Sequence, residues 1–333
     1  MEQTKLRRKS VIAFGAVILG LLVLFFLSIN LGSIRLTVPQ LLRGLFVEYD
    51  RDVASVYDLR FPRILISLMG GASLAVAGAL FQAVLKNPLA DPGLLGISSG
   101  AGFAALLATM LFPQLFFMAP LFSFLGGLLV FALVYSLAWK GSLSPLRIIL
   151  LGIAMQALFS GLSDAIGAMS GGNASGVAAI VNGNITMKTW DDVHMLAVVA
   201  GIGLVLAFCC AKLCNLCGLE DRTVRGLGVD IDKVRLLVSL TAVFLVGGCT
   251  AVIGPVSFLG LLVPHIGRIF VGSDHRRLLP FSALAGAFLF LLADTLGRTM
   301  IRPHEMNASV ILAVVGGITF IFLLRKGGGI YGK

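Results

Sequence analysis

Ser98 stands in Gly96-Ile97-Ser98-Ser99-Gly100, which satisfies the GxSxG spacing of a nucleophile elbow. That chemistry needs a strand before the serine and a helix after it, and here Ser98 opens a long apolar run instead. Four histidines, His194, His265, His275 and His304, show neither HExxH nor any other paired spacing, so they predict no metal catalysis. Cys214-Asn215-Leu216-Cys217 is a lone CxxC, and without a second ligand pair it reads as structural or incidental thiols. Gly327 to Lys333 mimics the start of a phosphate-binding loop, but no Ser/Thr follows to hold magnesium and no helix follows to face a phosphate. Two acids, Asp164 and Asp294, lie well inside apolar runs, where a carboxylate is a functional candidate by default. Asp294 sits four residues before Arg298, so pairing with an arginine is the simpler reading there. Arg60 and Arg63 stand three residues apart at the mouth of another run. With Arg298 they offer guanidinium forks suited to carboxylates on a partner, while interfacial anchoring is the plainer alternative.

The elements that must position these groups are membrane helices. Of the 333 residues 58% are apolar and only 13% charged, and the mean hydropathy is +0.99. Apolar runs long enough to cross about 30 Å of hydrocarbon recur along the chain. They predict about ten spans, at 11–31, 63–84, 93–112, 118–139, 146–169, 192–212, 235–253, 256–271, 279–298 and 307–324, the eighth being short. Lipid cannot satisfy backbone polar groups, so each continuous run must be a helix, and the expected fold is all-α and polytopic. The basic start, Lys5 to Lys9, resembles a signal peptide, but the run after it is too long and lacks a small-x-small cleavage site, so it reads as a retained first helix. With both termini on the cytoplasmic side, most of the 26 Lys/Arg fall in inner loops. Segment 32–62 is the exception, its arginines diluted by Glu48, Asp50, Asp52 and Asp58. The formal charge of +10 then reflects topology and attraction to anionic headgroups, and no solvent-facing basic domain exists for nucleic acid.

An internal echo suggests how the spans are arranged. Arg63-Ile64-Leu65-Ile66-Ser67-Leu68 opens the second span and Arg235-Leu236-Leu237-Val238-Ser239-Leu240 the seventh, each followed by small residues and then by helix breaks. An odd number of spans separates the copies, which predicts inverted repeats at about 63–190 and 235–325 within one membrane domain covering 1–333. The longest inner loop, 213–234, carries dense mixed charge and Gly punctuation through Leu219-Glu220-Asp221-Arg222-Thr223-Val224-Arg225-Gly226-Leu227-Gly228 and is the best candidate for docking another protein.

Two blocks carry a resemblance. Arg60 to Gly102, with the Asn87-Pro88-Leu89-Ala90-Asp91-Pro92-Gly93 turn between two small-residue-rich segments, and Gly254 to Arg277 (GPVSFLGLLVPHIGRIFVGSDHRR) resemble, in order, the FecCD or BtuC-like permeases of ABC importers for iron-siderophores, haem and vitamin B12. The resemblance implies a permease without an ATPase site or bound cofactor, ATP and magnesium acting on separate ATPase subunits. It implies import of an iron(III)-siderophore-type chelate across the inner membrane of a bacterium, with haem or cobalamin as alternatives. It assigns Arg60, Arg63 and Arg298 to docking of an extracytoplasmic binding protein. Leu219, Glu220, Arg222, Arg225, Gly226, Leu227 and Gly228 fall to ATPase coupling, and Asn87, Leu89, Ser144 and Asp164 to the gate and path. A second permease copy or a similar subunit completes the assembly. The chain departs from the family after the ninth span, where Glu305-Met306-Asn307-Ala308-Ser309 and Gly317-Ile318-Thr319 lack the usual prolines. An ion-coupled secondary transporter and an intramembrane hydrolase using Ser98 are the readings from other classes; scarcity of membrane acids opposes the first and the missing strand the second.

Overall fold

The computed structural model describes residues 2–31, 36–47, 50–93, 95–138, 145–169, 185–186, 188–300 and 304–327, and all regular structure among them is helical. The helices are α1 Glu2–Asn30, α2 Val38–Phe46, α3 Arg51–Leu59, α4 Phe61–Val84, α5 Ile97–Leu111, α6 Ala119–Ala138 and α7 Pro145–Met169. There follow α8 Trp190–Cys209, α9 Ala211–Cys217, α10 Asp221–Gly226, α11 Ile231–Ile253, α12 Leu259–Val271, α13 His275–Thr299 and α14 Ala308–Gly327. Among the described residues, 7 helical segments are long and apolar enough to cross a membrane, and α5, α12 and the Ala308–Phe322 part of α14 are shorter apolar helices. Together they account for the ten expected spans.

The core is built around α4, which is buried on nearly every side. It packs most extensively on α13, and also on α11, α8 and α12. Its sequence explains this position, because Gly and Ala let backbones approach closely where no hydrophobic force separates helix from lipid. A side chain at Gly71 would collide with the backbone of Gly286 on α13, and one at Gly78 with the backbone of Gly260 on α12. Outside this centre α1, α6, α7 and α8 each turn a face of Leu, Ile, Val or Phe outward, as in Leu121, Leu125, Leu129, Leu150 and Ile153. The two helices that open with the echoed hexapeptide, α4 and α11, lie against each other.

The described parts of segment 32–62 hold two capped helices that its charge does not suggest. Thr37 Oγ1 caps α2 by accepting from Gln40 N–H at 3.3 Å, and Asp50 Oδ1 caps α3 by accepting from the N–H groups of Asp52 and Val53. Gln40 Nε2 donates to Asp50 Oδ2 at 3.0 Å and ties the two helices together. Similarly, the 213–234 loop folds into α9 and α10, with Asp230 capping α11.

Candidate functional site: an ion cluster, a polar chamber and a docking helix

At one end of the bundle the three arginines singled out from sequence come together. Pro62 at the start of α4 and the run of α13 to Thr299 bring Arg63 beside Asp294, two side chains far apart in the chain and both buried. Arg63 Nε and Nη2 each lie 2.9 Å from Asp294 Oδ1, and its Nη1 lies 2.7 Å from Glu305 Oε2. Arg298 Nε stands 3.4 Å from Asp294 Oδ2, and its Nη2 donates to Ser28 Oγ on α1. Arg60 Nη1 donates to the carbonyl of Ile29, and Thr186 Oγ1 donates to Glu305 at 3.2 Å. Sequence reasoning expected all three guanidinium groups to face outward. In the structure Arg63 and Arg298 are turned inward, with 7% and 9% of their side chains exposed, because Asp294 has no solvent and needs them. Asp294 is thus paired as its spacing to Arg298 suggested, with Arg63 as the closer partner. Burial pushes the Glu305 carboxyl up, but the hydrogen bond and charge of Arg63, aided by Thr186 and Arg298, outweigh it and hold the group below its ordinary value.

The helix breaks that follow α4 and α11 meet. After α4, Asn87 Oδ1 accepts from Leu89 N–H at 2.9 Å and Asp91 Oδ1 from Gly93 N–H at 2.7 Å, and Gly96 at φ +74° launches α5. After α11, the stretch 254–258 runs through Phe258 at φ +69° into α12. The two breaks touch, since a side chain at Gly93 would meet Ser257, and Gln82 Nε2 of α4 donates to the Gly260 carbonyl at 3.1 Å. Beside them opens a chamber of about 260 Å³ lined by Ser98, Ser99, Gln156, Ser160, Ser257 and Ser309 together with Gly93, Pro255, Val310 and Ala313. Asp164 lies in an adjoining recess of about 90 Å³ that shares Ser99 and Ser160 with it. Ser98 sits in the first turn of α5 with a loop rather than a strand before it, so the elbow geometry is absent. Of the sequence-derived path residues, Asp164 reaches this region. Asn87 and Leu89 stand on the break that leads toward it, and Ser144 lies outside the described residues.

At the end opposite the arginines, α10 projects from the bundle. Leu219, Glu220, Arg222, Arg225, Gly226, Leu227 and Gly228 are all exposed, with Leu219 at 43% and Leu227 at 64%. Two exposed leucines flanking a short charged helix form a knob suited to a groove on a partner. Sequence reasoning did not single out Lys86. Its Nζ donates to the Leu219 carbonyl at 2.6 Å and pairs with Asp221 at 2.9 Å, while Arg235 of α11 reaches the same Asp221 oxygen at 2.8 Å. Lys86 takes a left-handed backbone, φ 49°, immediately before the Asn87 turn. Asp221 therefore joins α10 to the break after α4 and to the start of α11. The hydrogen bond from Lys86 is the largest influence holding its carboxyl below the usual range; burial opposes it and Arg235 assists. Asn215 on α9 makes a second link, donating to Asp274 at 2.7 Å and accepting from His275 N–H at 2.9 Å.

Broken helices around a polar chamber, in a bundle with an apolar exterior, define a multi-pass membrane permease. The model of the FecCD transport family matches residues 20–326, and the chain belongs to that family of ABC importer permeases. It is 40% identical over 319 residues to the "Probable heme-iron transport system permease protein IsdF" of Staphylococcus aureus strains MSSA476 and Newman, covering 96% of this chain and 97% of those proteins. A solved metal-chelate type ABC transporter in an inward-facing conformation superposes with a TM-score of 0.77 at 27% identity, over 95% of this chain and 99% of that one. PsaBC from Streptococcus pneumoniae, solved with a Fab, shares the fold at a TM-score of 0.58 and 14% identity, over 86% of this chain and 95% of that one.

Proposed function

We propose that this chain is the membrane subunit of a binding-protein-dependent importer that carries an iron chelate across the inner membrane of a bacterium. The polar chamber where the two helix breaks meet is the observation that carries the reading, because a hydroxyl-lined space in an apolar body has no use in packing. Energy arrives from ATPase subunits that dock on the α10 knob at the cytoplasmic face, where both termini also lie. The binding protein docks at the arginine end, where Arg63 and Arg298 meet Asp294 and the part-exposed Glu305, and where Arg60 stands one turn before Arg63 as a further charged group for a partner. A second copy of this permease, or a similar one, seats on the exposed apolar faces of α7 and α14 and closes the chamber. The inverted-repeat reading, 63–190 against 235–325, is supported by the matching breaks after α4 and α11.

An iron(III)-siderophore-type chelate is the first choice of cargo, favoured by the hydrogen-bonding lining. Haem is the second, favoured by the 40% identity to IsdF. Vesicles holding the permease, its ATPase and its binding protein test this. ATP-dependent uptake of ferric chelate or haem supports the reading. Uptake that persists without the ATPase and follows an ion gradient refutes it.

A further inference from the structure

The chamber has a chemical preference of its own. Ser98 and Ser99 belong to the first turn of α5 and Ser309 to the first turn of α14, so two helix N-termini open on the same space. Ser257 adds a hydroxyl from the break that leads into α12. A helix N-terminus carries roughly half a positive charge and backbone N–H groups that lack intrahelical acceptors. Ser98 is 2% exposed and its Oγ has no hydrogen-bond partner among the protein groups, a state that costs about 1–3 kcal/mol until water or a visitor in the chamber supplies an acceptor. None of the lining residues is a lysine, arginine or histidine. Positive potential therefore comes only from partial charges, opposed by the buried Asp91, whose Oδ1 accepts from Gly93 N–H at the chamber wall, so the helix ends orient an anion without trapping it.

We infer that this chamber is a station for the oxyanion groups of the cargo, carboxylates above all, with the Ser98 and Ser309 hydroxyls donating alongside the N-termini of α5 and α14. The inference rests on the chamber being the transport path. Asp164, exposed in the adjoining recess one turn beyond Ser160, repels a carboxylate from that side and sends it toward the helix ends. Carboxylate siderophores and the propionates of haem share the chemistry, so the station serves either.

The first measurement uses Ser98→Cys in a Cys209→Ser background, where the remaining thiols are buried. The ratio of its reaction rates with anionic and cationic methanethiosulfonates is compared with the same ratio for N-acetylcysteine. Two helix ends are expected to raise it about tenfold. An unchanged or lower ratio, or no reaction at all, overturns the inference. A second arm compares uptake by the full complex of haemin with its dimethyl ester, and of ferric citrate with an uncharged ferric trihydroxamate. S98A/S309A should slow the carboxylate-bearing member of whichever pair is carried about tenfold and spare the other; equal slowing of both overturns the inference. If wild type moves none of the four while the thiol ratio is raised, the transport reading fails and the anion preference stands. If chelates move and the ratio is ordinary, only the inference fails.

Discussion

Replacing Arg63 with alanine separates a structural role from a docking role. Asp294 is fully buried and Arg63 supplies its closest contacts, from Nε and Nη2, leaving only Arg298 at 3.4 Å. Removing one partner of a buried pair strands the other charge, at a cost of about 3–5 kcal/mol. Replacing Asp294 instead leaves Arg63 bound to Glu305 at 2.7 Å, so D294A should cost less, about 1–3 kcal/mol. R63A/D294A strands no fully buried carboxylate, although the part-exposed Glu305 loses Arg63 and Arg298 loses Asp294, and it should recover part of the loss, giving a coupling energy of about 2–3 kcal/mol. The four proteins are compared by denaturant-titrated unfolding in lipid-detergent micelles. R63K, which keeps the charge but loses the fork, serves if R63A does not fold and should fall between wild type and R63A. A coupling below about 0.5 kcal/mol, with loss of binding-protein affinity and unchanged stability, would refute the structural assignment and make Arg63 a docking group.

D221N removes a carboxylate shared by Lys86 and Arg235; these partly exposed pairs are each worth about 0.5–1 kcal/mol, so folding should persist while chelate uptake per ATP hydrolysed falls about two- to fivefold in vesicles. Unchanged coupling would remove Asp221 from the transmission path. Because Glu305 is held below its ordinary 4.5, its contribution to stability is full above that value and drains away as pH falls through the lowered one. Melting curves at falling pH should show an acid-side loss that E305Q lacks. Gly78→Val drives a side chain into the backbone of Gly260 and should cost at least about 2–3 kcal/mol, whereas Gly161→Ala, facing open space, should be nearly neutral in the same unfolding assay.

The spans were legible because lipid forces each long apolar run into a helix, and even the short eighth span is a real element, Leu259–Val271. Helices α2 and α3 were not anticipated, since their charges masked amphipathic turns that depend on caps from Thr37 and Asp50. The pairing of Asp294 with an arginine could be read from local spacing. Glu305 could not be matched to Arg63, because that contact joins residues 242 apart. The chamber was hidden for the same reason. Ser98, Gln156, Ser257 and Ser309 follow no common period, and only the meeting of two distant breaks brings them to one wall. Lys86 belongs to no local pattern, because its partner Asp221 lies 135 residues away.

The glycine-lined burial of α4 also bears on how the protein is made. Its chief neighbours, α11 and α13, begin at Ile231 and His275, so α4 emerges from the ribosome and enters the bilayer long before they exist. During that interval its small-residue faces have only acyl chains or insertase surfaces to lean on. Final assembly must therefore be a late, lateral event, and a chain truncated before α11 would leave the small-residue faces of α4 exposed to membrane quality-control proteases.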